Sequence, residues 1–364
     1  MKPVRYCPAH ELSSGEVCSD QPRWRVMQAA MLRSLALIKS PVVSNAMISL
    51  DTIRNAAARI APHAHVTPVL GSASLDRLAG ATLFFKAEHL QRIGAFKFRG
   101  ACNAVFSLDD AAAARGVVTQ SSGNHGAAIA LACRLRGIPA TVVVPHNAPG
   151  VKLAAIADFG ARIVPCEVSQ HDRDRVTAQV LAESGGELIH PFDDPRVIAG
   201  QGTAAFELLH QAPALDAIIA PVSGGGLLSG TLLAAKAINP GIEVFGAEPE
   251  GASDAYQSLR QRRRITDMTP NTICDGLRAH LSERTFAILS QHCDGILLAN
   301  DEEVRAAMRL IFERMKQVVE PSGAVPLAAL LRERARFAGR RVGLVLSGGN
   351  LDLSPIFSSQ EHSR

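Results

Sequence analysis

The chain has 364 residues, 47% of them apolar and 20% charged, the balance of a globular protein with one large or two modest cores. Its formal charge is +4, yet residues 1–46 alone carry six Lys/Arg against three Asp/Glu, leaving 32 basic and 31 acidic side chains elsewhere. With so little excess charge, one Trp and two Tyr, neither a basic stripe nor stacking platforms for nucleic acid are expected.

The first 46 residues read as a poorly ordered extension or a start assigned too far upstream. Their longest apolar run, Ala29 to Ile38, is broken by Arg33 and too short to span a bilayer, so no membrane partner is expected. Cys7, His10 and Cys18 lack a fourth ligand at a usual zinc spacing. A helix-like start appears at Met47-Ile-Ser-Leu-Asp-Thr-Ile-Arg, where the folded chain is expected to begin. Seven scattered cysteines, with no C-x-x-C pair, fit free thiols in a reducing cytoplasm.

From Ala81 onward, short apolar runs alternate with Ala/Leu-rich stretches. Strands are expected at Thr82–Lys86, Gly116–Thr119, Ala140–Val144, Ala161–Cys166, Ala217–Pro221, Glu243–Ala247 and Val342–Leu346. Several are apolar throughout, as strands covered on both faces must be. Helices are expected at Asn124–Arg136, Gly150–Phe159, Arg173–Glu183 and Leu227–Ile238. This alternation implies an α/β fold with mostly parallel sheets. The strand-helix units within 116–193 are expected to form a small domain inserted into a larger one made of 47–115 and 194–357.

In such folds ligands bind beyond the carboxyl ends of the strands. The stretch Gly94-Ala-Phe-Lys-Phe-Arg-Gly sets Lys97 between Phe96 and Phe98, where burial presses an amine toward its neutral, nucleophilic form. The bland alternative is a lysine whose stem packs and whose head reaches water. Three glycine-rich turns shift that balance. Val118-Thr-Gln-Ser-Ser-Gly-Asn-His-Gly leads from a strand into a helix, with backbone N–H groups and the hydroxyls of Ser121 and Ser122 to hold a carboxylate or phosphate. Pro221-Val-Ser-Gly-Gly-Gly-Leu offers an anion nest, and it is neither a Walker loop nor a dinucleotide fingerprint. Leu346-Ser-Gly-Gly-Asn follows the last strand. One ligand can use all four stretches, and pyridoxal 5'-phosphate, with its phosphate, aldehyde and ring nitrogen, fits them, with the carboxylate of an amino acid bound beside it.

These stretches, with Val197-Ile-Ala-Gly-Gln-Gly-Thr, Ala247-Glu-Pro and Glu320-Pro-Ser-Gly, stand in the order found in the serine/threonine dehydratase and serine racemase family. Residues 47–353 resemble that family, which has the second fold type of pyridoxal-phosphate enzymes: a tryptophan synthase β-like α/β architecture of two open, mostly parallel, twisted sheets flanked by helices. The resemblance implies that Lys97 holds the cofactor aldehyde and then serves as base at Cα. Phe96 would lie against the ring, Asn124 would meet its phenolic oxygen, and Ser347 would face its nitrogen. The backbone of Ser223, Gly224, Gly225, Gly226 and Leu227 would bind the phosphate. Ser121, Ser122, Gly123, Asn124 and His125 would hold the substrate. Ser122 occupies the place of a second-face base in racemases, though lyases carry serine there too. Glu248, Asp254 and the carbonyl of Ala252 would bind a divalent cation, Mg²⁺ or Ca²⁺, against the alternative of a solvated acidic loop.

Some positions depart from the family pattern. Ala95 replaces the usual serine, Ser223 stands where racemases have a fourth glycine, and Ala279 occupies a position that often bears a hydroxyl near the substrate side chain. Plain serine is therefore not expected to be the best substrate. Arg173 aligns with an arginine that can meet a second carboxylate, which keeps a 3-hydroxyaspartate-like substrate open. The short polar tail after Leu353 implies the catabolic type without a regulatory domain. The expected activity is elimination from a threonine- or serine-like β-hydroxy amino acid to a 2-oxo acid and ammonia, in a cytoplasmic homodimer. Serine racemase, 3-hydroxyaspartate ammonia-lyase and a dehydratase of hydroxyectoine breakdown are the alternatives.

Overall fold

The fold is a computed structural model that describes residues 48–212 and 214–352, so the Cys7, His10 and Cys18 reading and the expected extension lie outside the described residues. In chain order the strands are β1 (Val69–Leu70), β2 (Thr82–Lys86), β3 (Val117–Gln120), β4 (Ala140–Pro145), β5 (Arg162–Cys166), β6 (Glu187–Leu188), β7 (Ala217–Pro221), β8 (Glu243–Pro249), β9 (Gly295–Ala299) and β10 (Arg341–Val345). They form two sheets, ordered β1-β2-β10-β7-β8-β9 and β5-β4-β3-β6. All pairs are parallel except β1 with β2 at one edge. The second sheet takes every strand from residues 117–188.

The seven expected strands are all present, within two residues at each end. Three more appear. β1 and β6 are two-residue edges, too short to show a period, and β9 (Gly-Ile-Leu-Leu-Ala) is an apolar run that periodicity cannot tell from a buried helix. Every residue of β7 is buried, and only the first of β8 and of β10 is partly exposed, as strands covered by helices on both faces require. The helix expected after Met47 runs Leu50–Ile60 and is started by a capping box in which Ser49 and Thr52 exchange bonds.

The helix Lys97–Phe106 begins at the candidate lysine and is fixed in two ways. It crosses the helix Pro195–Gln211 at a glycine pair, where a Cβ on Gly200 would lie 2.6 Å from Gly100 Cα. Only glycine permits that approach. Beneath it Arg99, fully buried, donates from Nε and Nη2 to Glu88 at 2.7 and 2.8 Å and from Nη1 and Nη2 to Glu207 at 2.7 and 2.8 Å. Lys86 Nζ also donates to Glu207, at 2.6 Å, so two cations face two carboxylates. Burial alone would raise the Glu88 carboxyl, but Arg99, Lys86 and the Thr67 hydroxyl together outweigh it and the net shift is downward. A buried cluster satisfied this fully has one low-energy geometry, and it fixes the residue two places before it, Lys97.

Candidate active site

The loop before Lys97 is zipped to the turn after β10. Phe96 N–H donates to Ser347 O at 2.9 Å, Gly349 N–H to Gly94 O at 2.9 Å, and Asn350 Nδ2 to Ile93 O at 2.6 Å. Ile93 sits at φ 59°, a left-handed conformation that costs a β-branched residue energy and here is held by those bonds. Lys97 is half-buried, its Nζ donating to Pro191 O at 2.9 Å and lying 5.2 Å from the Phe96 ring centroid. Desolvation lowers its pKa to about 8, with the Glu320 carboxylate offsetting part of the effect. Buried His125 and half-buried His190 lie near enough to feel its charge, and both are pushed toward the neutral form, first by burial.

Two helices begin here on glycine, with no side-chain cap: Asn124–Arg136 after Gly123, and Gly226–Ile238 after Gly225. Ser49, Asp109, Ser169, Asp194, Ser282 and Asn300 each cap the helix that follows with a side-chain oxygen, while the helices that start at Ala73, Lys97, Gly150, Asp254 and Pro321 also lack such a cap. A helix start whose N–H groups are left to a ligand is an anion site. In the triple-glycine turn, Gly225 has φ 88°, and a Cβ on Gly224 would fall 2.4 Å from the Phe192 ring. Phe192 follows Pro191, so the segment that meets Lys97 also walls the turn.

Buried Ser347 is tied to the lysine loop through its carbonyl, which accepts from Phe96 N–H. Asn124, at the first helix start, gives its amide to both Glu320 oxygens at 3.2 Å and accepts from Asn350 Nδ2 at 2.9 Å. Glu320 is 5% exposed, and burial raises its carboxyl to about 7 despite the Asn124 bond. Lys97, Phe96, Asn124, His125, the Ser223–Leu227 turn and Ser347 are thus brought together. Ser121 and Gly123 belong to the same turn, with Gly123 N–H donating to Ser121 Oγ at 3.3 Å, and Ser122 lies between them. Glu320, Asn350, Pro191 and Phe192 had no role assigned from sequence. The first two lay in quoted motifs, whereas nothing local marks the last two.

Arg173 makes none of the contacts just given, although its neighbour Asp174 accepts from Gln120, the residue before Ser121. Arg173 lies in the first turn of the helix Gln170–Ser184, beyond the carboxyl end of β5, beside Cys166 and 3.4 Å from Gln170. Its Nε is buried without a hydrogen-bond partner among the described residues. Glu248, near the end of β8, and Asp254, the first residue of the helix Asp254–Gln261, form a separate buried pair, 0% and 2% exposed. Glu248 accepts from the N–H groups of Ala255 and Tyr256, each at 3.0 Å, while Asp254 Oδ2 is buried with no partner among the described residues. Burial, and for Glu248 also the neighbouring Asp254 charge, raises both carboxyls, Asp254 to about 6. No group of three or more His, Cys, Asp or Glu that could hold a metal occurs among the described residues, so a cation here would rest on these two carboxylates and the carbonyl of buried Ala252.

Comparison with known proteins adds a second line. The sequence profile described as pyridoxal-phosphate dependent enzyme matches residues 60–348. Serine racemase of Dictyostelium discoideum is 48% identical over 315 residues, which cover 85% of this chain and 97% of that protein. The β-hydroxyaspartate dehydratase of Paracoccus denitrificans is 48% identical over 298 residues, 82% of this chain and 95% of that protein. Among solved structures, maize serine racemase matches with a TM-score of 0.83 at 47% identity, covering 85% of this chain and 95% of that one.

Proposed function

The chain belongs to the pyridoxal-phosphate dependent enzymes, and from that membership we propose that it is an ammonia-lyase, removing the β-hydroxyl and amino groups of a threonine- or serine-like β-hydroxy amino acid as water and ammonia and leaving a 2-oxo acid. The residues fit the cofactor. A lysine lowered to about 8 lies beside a glycine turn that a side chain would fill and that leads into an uncapped helix start. When bound, pyridoxal 5'-phosphate supplies an electron sink at Cα, a weak one where its nitrogen meets a neutral hydroxyl, which favours prompt loss of the β-hydroxyl.

Lys97 would hold the aldehyde, the N–H groups of Ser223–Leu227 the phosphate, and Ser347 would offer that neutral hydroxyl. Phe96 would cover one face of the ring, and Asn124 would donate to the phenolic oxygen. The helix start at Ser121, Ser122, Gly123, Asn124 and His125 would bind the substrate carboxylate. Lys97 then takes the Cα proton at Nζ, a role that a pKa lowered to about 8 favours over that of an ordinary lysine. Ser122 is the candidate for proton return from the opposite face, the step a racemase needs. Relatives named racemase and dehydratase are equally similar, so overall identity does not choose between the two.

The observation that carries the reading is Lys97 itself, an amine with a lowered pKa bonded to the carbonyl of Pro191, whose neighbour Phe192 walls the glycine turn. Its test is Lys97→Ala, expected to lose the visible cofactor band and 2-oxo acid release while remaining folded. Retained turnover would overturn it. A second reading, a 3-hydroxyaspartate-like substrate, is favoured by the unpartnered buried Nε of Arg173. For the metal, the unpaired oxygen of Asp254 beside Glu248 supports Mg²⁺ or Ca²⁺, hard cations for oxygen ligands.

A further inference from the structure

The two departures at 223 and 279 are one feature. Ser223 Oγ accepts from Ala279 N–H at 2.9 Å and donates to Ala279 O at 3.1 Å, although the two residues are 56 positions apart. Both polar groups of one peptide-bearing residue are therefore gripped by one hydroxyl. The grip joins the glycine turn to the segment from Asp275 to Leu281, whose other ties reach in other directions. Gly276 N–H donates to Ser322 Oγ at 3.1 Å, Arg278 to Thr272 O at 2.6 Å, and His280 contacts Met268 O at 2.8 Å. Leu281 packs under the turn, since a Cβ on Gly225 would lie 2.8 Å from its side chain. Of these contacts, only the Ser223 clasp reaches the exposed stretch at Ala279 itself.

We propose that Ser223 is a positioning residue for substrate choice: its hydroxyl clamps Ala279 to the glycine turn and fixes the wall that faces the substrate's Cβ group. The inference rests on the lyase reading above. A serine hydroxyl has one proton to give, and here it is spent on Ala279 O, so it offers no donor to the substrate. On this proposal the side chain beside the substrate is the Ala279 methyl, with no hydroxyl. It is apolar, and it is held in place, a combination that suits a substituted Cβ over the bare CH₂OH of serine. Without the clasp the wall keeps its composition and loses its position, so binding suffers more than chemistry.

The test uses the full-length holoenzyme with Ser223→Ala and Ser223→Thr. Hydrogen exchange of the segment containing Ala279, read without substrate, should accelerate about tenfold in Ser223→Ala and return toward wild type in Ser223→Thr, which keeps the hydroxyl. KM for the best Cβ-substituted substrate should rise about tenfold in Ser223→Ala, more than kcat falls, with KM for L-serine changed less and Ser223→Thr restoring the difference. Wild-type exchange in Ser223→Ala, an unchanged ratio of the two KM values, or identical behaviour of the two variants would overturn the proposal. If the wild-type protein released no 2-oxo acid from any β-hydroxy amino acid, the lyase reading would fall with the specificity role. The clasp would still be judged by exchange alone.

Discussion

Asn124 and Glu320 are joined amide to carboxyl, Nδ2 lying 3.2 Å from each Glu320 oxygen, so the orientation of the Asn124 carboxamide is set from the far side of the site. Asn350 fixes the other end by donating to Oδ1 at 2.9 Å. The remaining amide hydrogen is left as a donor, the polarity that an anionic phenolic oxygen would need.

That arrangement makes stability depend on pH in a stated sense. Burial raises the Glu320 carboxyl from 4.5 to about 7, so the folded state holds its proton more tightly than the unfolded chain does. The favourable contribution is complete below pH 4.5 and is lost as pH rises through 7, above which a buried carboxylate is a cost. Glu320→Gln removes the titration and keeps an acceptor for Asn124. Denaturant unfolding at pH 5 and pH 8 should show the variant gaining on wild type, by on the order of 1–3 kcal/mol at the higher pH. A difference that does not change with pH would contradict this.

Lys97 gives a kinetic pH dependence of its own. Its amine, lowered to about 8, is mostly protonated at pH 7 and mostly free at pH 9. Uptake of pyridoxal 5'-phosphate by the apoprotein, followed by stopped-flow absorbance, should quicken as pH rises and reach half its limiting rate at about 8. A half-point near the 10.5 of an ordinary lysine would show that the amine is solvated.

For the cation, both carboxyls must ionise before they bind it, and both are raised. Chelation of wild-type protein at pH 8 should lower Tm by a few degrees, an effect that fades below about pH 6 and is absent from Asp254→Asn. Identical melting with and without chelator across that range would remove the metal from the account.

Arg173 separates the two substrate classes. If it meets a second carboxylate, Arg173→Ala should cost about a hundredfold or more in kcat/KM on 3-hydroxyaspartate and less than about threefold on threonine. Equal losses on both substrates would return Arg173 to a purely structural role.

Much of the fold could be read from the chain because its parallel strands are buried on both faces, so that Ala217–Pro221 and most of Glu243–Ala247 appear as apolar runs between helices. The lysine and the glycine turns were legible for a related reason: their backbone needs restrict them to particular residues in a short window. The contacts that complete the site were not. Lys97 with Pro191, Gly224 with Phe192, Asn124 with Glu320 and Ser223 with Ala279 each pair residues tens to hundreds of positions apart, and neither partner carries a local mark of the other. Ser223 and Ala279 stand in the sequence as separate departures, and only the fold makes them one.

The central claim is elimination at Lys97 from a Cβ-substituted β-hydroxy amino acid. Purified holoenzyme should therefore be offered L-serine, L-threonine and the stereoisomers of 3-hydroxyaspartate, with 2-oxo acid release and D-isomer formation measured in the same samples. The account predicts 2-oxo acid as the main product, with a Cβ-substituted substrate preferred over L-serine and all release lost in Lys97→Ala. D-isomer forming faster than 2-oxo acid, or L-serine outperforming every substituted substrate, would contradict it.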